Sequence, residues 1–130
     1  MSGKKLSILL ISDDLYWIEA VEESLASSDL TVDATFESSA LEMVRDRLAG
    51  ENAYALVIVD VMATENTSRL VGQIRQQQSE ARIVVATAAP TWQLAREVFR
   101  AGAMDCVRKS LSKRTLHTLF AGILSRVLPS

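Results

Sequence analysis

Along the chain, short unbroken apolar runs alternate with stretches whose apolar positions recur every three or four residues. Leu6-Ser7-Ile8-Leu9-Leu10-Ile11, Ala55-Leu56-Val57-Ile58-Val59-Asp60 and Arg82-Ile83-Val84-Val85-Ala86-Thr87 read as strands buried on both faces. A half-buried strand would instead alternate apolar with polar residues. Leu30, Val32, Ala34 and Phe36 do alternate, with Thr31, Asp33 and Thr35, and predict an edge strand with one exposed face. Asp105-Cys106-Val107-Arg108-Lys109 predicts a short fifth strand.

Between these runs the spacing is helical. Leu15, Ile18, Val21 and Leu25 form a stripe, with Glu19, Glu22 and Glu23 on the wet side. Ser39-Ala40-Leu41-Glu42 fits a capping box, opening a helix that buries Leu41, Val44 and Leu48 and closes near Gly50. After a polar loop from Thr64 to Thr67, Leu70, Val71 and Ile74 mark a third helix, weakened at Gly72. A fourth starts at Pro90 and ends at Gly102, burying Leu94, Val98 and Ala101. The last has Ser112 as N-cap and Leu111 and Leu116 placed for a hydrophobic staple. Its apolar face is Leu116, Leu119, Phe120, Ile123, Leu124 and Val127, and Leu128-Pro129-Ser130 stops it.

Strands alternating with helices predict a parallel sheet covered on both sides, with right-handed crossovers. The 130 residues contain no internal repeat, linker or low-complexity segment and are 48% hydrophobic, which predicts one domain over 1–130 with one substantial core. A net charge of −2 leaves no basic footprint for direct contact with nucleic acid. The single cysteine, Cys106, excludes an internal disulfide and suits a reducing cytoplasm. No apolar run approaches the roughly 18–20 residues of a membrane span, so the expectation is a cytoplasmic protein without a membrane partner.

Four of the predicted strands run out into a reactive side chain: Asp13 and Asp14, Asp60, Thr87, and Lys109. In an open parallel sheet, ligands bind beyond the carboxyl ends of the strands. Singly, each residue has a plain reading: an acidic pair caps helices, a threonine sits in turns, a lysine is a solvated charge. Together at one sheet edge they form an inventory. Carboxylates gathered in one place repel, so protonation or a cation must relieve them. Oxygen ligands without histidine or paired cysteine suit a hard ion, and few protein ligands plus water and a phosphoryl oxygen suit Mg²⁺. A carboxylate, a lysine, a hydroxyl and a metal are the parts needed for phosphoryl transfer, with Asp60 as nucleophile.

These residues carry a resemblance. Ile11-Ser12-Asp13-Asp14, Val57-Ile58-Val59-Asp60, Val84-Val85-Ala86-Thr87-Ala88, and Ala101-Gly102-Ala103-Met104-Asp105 leading to Lys109 are similar, in this order and spacing, to the response-regulator receiver domains of two-component signalling. The resemblance covers essentially the whole chain. It implies a flavodoxin-like (βα)5 three-layer sandwich with a five-stranded parallel sheet in the order 2-1-3-4-5. It implies that Asp60 is the phosphoacceptor for a sensor histidine kinase or phosphotransfer protein. Mg²⁺ would be bound by Asp14, Asp60 and the backbone carbonyl of Met62, with Asp13 acting through water. Thr87, Ala88 and Lys109 would form the phosphoryl-binding and switching set. Such a domain assists its own loading and hydrolysis without being a multiple-turnover enzyme. The surface of its fourth helix, fifth strand and fifth helix serves homodimers or effectors, and here would include Trp92, Glu97, Arg100, Lys113 and His117. The effector would be a domain or protein outside this chain.

The chain also departs from that family. The stretch Val61-Met62-Ala63-Thr64-Glu65-Asn66-Thr67 lacks the usual proline and Asp-Gly pair, which puts the loop's shape in question. Ser110 stands where the family has a proline, predicting a trans Lys109–Ser110 bond and a somewhat displaced Lys109. Cys106 replaces the switching aromatic residue. Met62 and Ala89 replace side chains that orient water. Two alternatives stay open: a degenerate pseudo-receiver that binds partners without phosphorylation, and an aspartyl-phosphate hydrolase. The hydrolase normally carries a second aspartate two residues after the first, and Met62 holds that position. A nucleotide fold would need a glycine-rich loop after the first strand, which Ser12-Asp13-Asp14 does not supply.

Overall fold

In a computed structural model, residues 5–26, 31–37, 46, 48–50 and 53–127 are described. Five strands, β1 (Lys5–Ile11), β2 (Thr31–Glu37), β3 (Leu56–Asp60), β4 (Arg82–Thr87) and β5 (Asp105–Arg108), form one parallel sheet in the order β2-β1-β3-β4-β5. Four helices are described: α1 (Leu15–Ala26), α2 (Thr67–Gln77), α3 (Trp92–Ala101) and α4 (Lys113–Val127). The helix expected from Ser39 to Gly50 lies largely outside the described residues; within it Asp46, Leu48 and Ala49 are helical, and Leu48 is buried.

The β-branched runs form the sheet's centre because successive side chains point to opposite faces and both faces are covered. Ile8, Leu10, Leu56, Ile58 and Val84 pack with Trp17, Ile18, Val21 and Leu25 of α1 and with Leu116, Phe120, Ile123 and Leu124 of α4. Leu9, Ile11, Val57, Val59, Ile83 and Val85 pack on the other side with Leu70, Val71 and Ile74 of α2 and Val98 of α3. Burial of each such side chain contributes about 1.5–3 kcal/mol. The alternating strand therefore separates two cores and makes three layers.

Helix ends differ in detail from expectation. In α1 the buried stripe is Trp17, Ile18, Val21 and Leu25, while Leu15 is 71% exposed. The helix starts at Leu15, so its first side chain lies at the rim and Trp17 takes the inward place. Thr91, not Pro90, caps α3 by accepting the Leu94 N–H, and Pro90 precedes that cap. Ser112 does cap α4, accepting the Thr115 N–H at 3.3 Å, but Leu111 stays exposed and packs no staple. After the 3₁₀ turn Val61–Ala63, Asn66 caps α2 through the Arg69 N–H, so the atypical loop resolves into two short capped segments. Gly102 ends α3 with φ 122, a conformation side chains with a Cβ rarely adopt.

Candidate functional site

β1 and β3 run side by side with Ile11 opposite Val59, so one further step places Ser12 beside Asp60. Asp60 is 0% exposed. A carboxylate enclosed this way needs hydrogen-bond donors on its oxygens. It has them: Ser12 Oγ donates to Oδ2 at 2.7 Å, Lys109 Nζ donates to Oδ2 at 2.9 Å, and the Met62 N–H donates to Oδ1 at 3.0 Å. The same ammonium reaches Asp14 Oδ2 at 2.9 Å. Asp14 in turn caps α1, its Oδ1 accepting the Trp17 N–H at 3.2 Å.

Lys109 is thus the cation that relieves the repulsion between the two carboxylates. Its side chain is 12% exposed, and burial works against its charge. Hydrogen bonds to Asp60 and Asp14, with their negative charges, outweigh that and raise its pKa. Asp14 moves the opposite way: the bond from Lys109, then the Trp17 N–H, holds its carboxyl below the ordinary range.

Thr87, buried at the end of β4, is tied to the same place by its backbone, its carbonyl accepting the Lys109 N–H at 2.8 Å. Its Oγ1 accepts the Ala89 N–H at 3.3 Å, and Ala88 between them is exposed. The Lys109–Ser110 bond is trans, as no peptide among the described residues is cis. With that trans bond, Lys109 Nζ reaches Asp60 Oδ2 at 2.9 Å.

Asp13, Asp14 and Asp60 do not assemble as three: Asp13 is exposed, and among the described residues no three acidic, histidine or cysteine side chains group around a possible ion. β1 ends at Ile11, Ser12 is buried against Asp60, and Asp13 lies exposed in the bend that follows. Ser12 itself was not singled out by its sequence context; only the β1–β3 register reveals it. The carboxylates of Asp14 and Asp60, bridged by one ammonium, are hard oxygens of the kind that suits a divalent cation.

Cys106 lies opposite Val85 on β5, half-buried against the α2–α3 side of the core. Burial, then the charge of Asp105, pushes its thiol pKa up, so it serves as a small packing residue. Met62 is 77% exposed, and Leu15, Tyr16, Trp92 and Leu111 are also exposed at the loops and helix starts that follow the strands' carboxyl ends.

A doubly wound parallel sheet whose central strands end in a lysine-bridged acid cluster defines a class of α/β protein with its site at the sheet's carboxyl edge. Within that class the chain matches the response regulator receiver domain over residues 8–121, and it belongs to that family. No curated protein matches it. Among solved structures it is similar to the orphan response regulator HP1043 of H. pylori, with 24% identity, TM-score 0.74, and 95% of this chain and 97% of that chain covered. It is similar to the phosphorylated cyanobacterial phytochrome response regulator RcpA at 17% identity and TM-score 0.76, covering 92% of this chain and 91% of that one. A Burkholderia pseudomallei response regulator solved with a phosphorylated aspartic acid, calcium ion and citrate is 18% identical, with TM-score 0.70, over 93% of this chain and 72% of that one. These likenesses show the flavodoxin-like α/β fold. Among the described residues no helix is long and apolar enough to cross a membrane.

Proposed function

We propose that residues 1–130 act as one phospho-accepting receiver, taking a phosphoryl group from a phosphohistidine of a sensor kinase or phosphotransfer protein. The observation that carries this reading is the enclosed Asp60 held between Lys109 and Ser12 at the carboxyl edge of the sheet. A carboxylate oxygen of Asp60 attacks phosphorus while the P–N bond breaks and its electron pair returns to the imidazole, leaving an acyl phosphate. Lys109 meets the charge on the transferred group, and Thr87, whose carbonyl accepts the Lys109 N–H, would receive a phosphoryl oxygen through its hydroxyl. A bound Mg²⁺, held by Asp14, Asp60 and the Met62 carbonyl with Asp13 through water, would supply further charge neutralisation. The Burkholderia regulator's phosphorylated aspartate and calcium ion support the combination of acyl phosphate and hard ion.

The exposed Leu15, Tyr16, Met62, Trp92 and Leu111 offer a donor protein apolar contacts beside the acceptor. Trp92, Glu97, Arg100, Lys113 and His117 are all exposed, which leaves the α3–β5–α4 surface open to a second copy or an effector. The deciding experiment is incubation with a small phosphodonor and Mg²⁺. A receiver gives an acid-stable, base-labile phosphoprotein at one equivalent; a hydrolase consumes donor repeatedly. A chain that never labels is a binding module, a reading favoured by the complete set of donors already on Asp60.

Two smaller effects accompany loading. Neither Met62 nor Ala89 can orient water through its side chain, and both are exposed. The acyl phosphate is expected to outlast that of a Met62→Asn, Ala89→Glu variant several-fold, read as decay of the labelled protein; faster decay in the wild type rejects this. Trp17 lies under the Lys109 ammonium, 5.2 Å from ring centroid to Nζ. Its emission is expected to change when a phosphate mimic such as beryllofluoride draws Lys109 away, and an unchanged spectrum counts against the placement.

A further inference from the structure

Trp17 does more than fill the core. It is 2% exposed and belongs to the buried stripe of α1, yet its indole Nε1–H finds no hydrogen-bond partner among the described residues. An unmet buried donor is a standing cost that the smaller ring of phenylalanine would avoid. What the larger ring provides is its face, since indole binds cations better than a phenyl ring. That face lies under Lys109 Nζ.

The ammonium carries three donors. Two are committed, to Asp14 and Asp60, and among the described residues no third acceptor meets it. Lys109 also lies just beyond β5, followed by Ser110 rather than a ring-locked residue, with its own backbone N–H bonded to Thr87 O. Its four-carbon stem must therefore be located by what surrounds its tip. Trp17 is well placed for this because its backbone N–H is bonded to Asp14. One turn of α1 thus presents both an anion and a π face to the same cation.

We propose that Trp17 is a positioning residue that seats the Lys109 ammonium against Asp60 through a cation–π contact, coupling the start of α1 to the phosphoryl site. The effect on phosphoryl transfer rests on the receiver function proposed above; the seating of Lys109 does not.

A graded series of ring-fluorinated tryptophans at position 17, in a Trp92→Phe background, separates electrostatics from packing. Fluorine withdraws charge from the ring face while leaving shape and fold nearly unchanged. Hydrogen exchange of the Lys109 ammonium, followed by NMR without any phosphodonor, is expected to quicken in step with fluorination, by about two- to fivefold across the series. Labelling by a small phosphodonor is expected to slow by a similar factor. Trp17→Phe should fall within the series and Trp17→Leu beyond it. Exchange that stays flat across the series overturns the proposal and leaves Trp17 as packing alone. If exchange responds but the wild type never labels, the seating stands and the receiver reading fails.

Discussion

Asp60→Asn is expected to abolish labelling by a phosphodonor while leaving a folded protein. The amide has no anionic oxygen to attack phosphorus, so no acyl phosphate forms. The fold survives because the change is nearly isosteric. The amide oxygen still accepts the Met62 N–H, the Ser12 hydroxyl can rotate to accept from the new NH₂, and Lys109 retains Asp14. The check is a phosphoprotein assay beside a thermal melt. A variant that labels at the wild-type rate would move the acceptor elsewhere, with Asp14, which shares Lys109 with Asp60, the first candidate.

Lys109→Met is expected to have the largest effect on stability. Asp60 is wholly enclosed, and its charge is balanced by one ammonium that also answers Asp14. Breaking a buried pair by removing one partner costs 3–5 kcal/mol, and because Asp60 keeps two donors the loss should be about 3 kcal/mol, or about 10 °C in Tm. The pH dependence separates this from lost packing. Lys109 titrates above its ordinary 10.5 in the folded protein, so its contribution is present below 10.5 and disappears as pH rises through the higher folded value. Asp14 titrates below its ordinary 3.8, so its contribution is present above 3.8 and disappears as pH falls through the lower folded value. Wild-type stability should therefore fall at both extremes; the variant should lose the alkaline dependence and keep only the part of the acid one that the Trp17 N–H on Asp14 supplies. In Lys109→Met, mild acid should instead help, because protonating one carboxylate relieves the repulsion. Adding Asp60→Asn to Lys109→Met should restore part of the loss, since a neutral amide no longer needs the cation. A double variant whose losses simply add would contradict the pairing.

The sheet was legible because burial on two faces demands continuous apolar runs, as in Val57-Ile58-Val59, and a chain can state that requirement locally. For the same reason the end of each strand was legible, and with it Asp60, Thr87 and Lys109 as residues of one edge. Local spacing is silent about which neighbour a side chain meets. The pairing of Ile11 with Val59 brings Ser12 to Asp60, and Asp13 is exposed in the bend beyond, although Ser12-Asp13-Asp14 reads as a serine followed by two equal acids. Trp17 is a helix residue by sequence and part of the site only because α1 packs beside Lys109, ninety-odd positions away. Periodicity and strand-end chemistry are properties of neighbours along the chain, and they determined the architecture and the acid inventory. Which oxygen meets the ammonium, and what lies beneath it, depends on register and helix docking, which arise only when distant segments share one core.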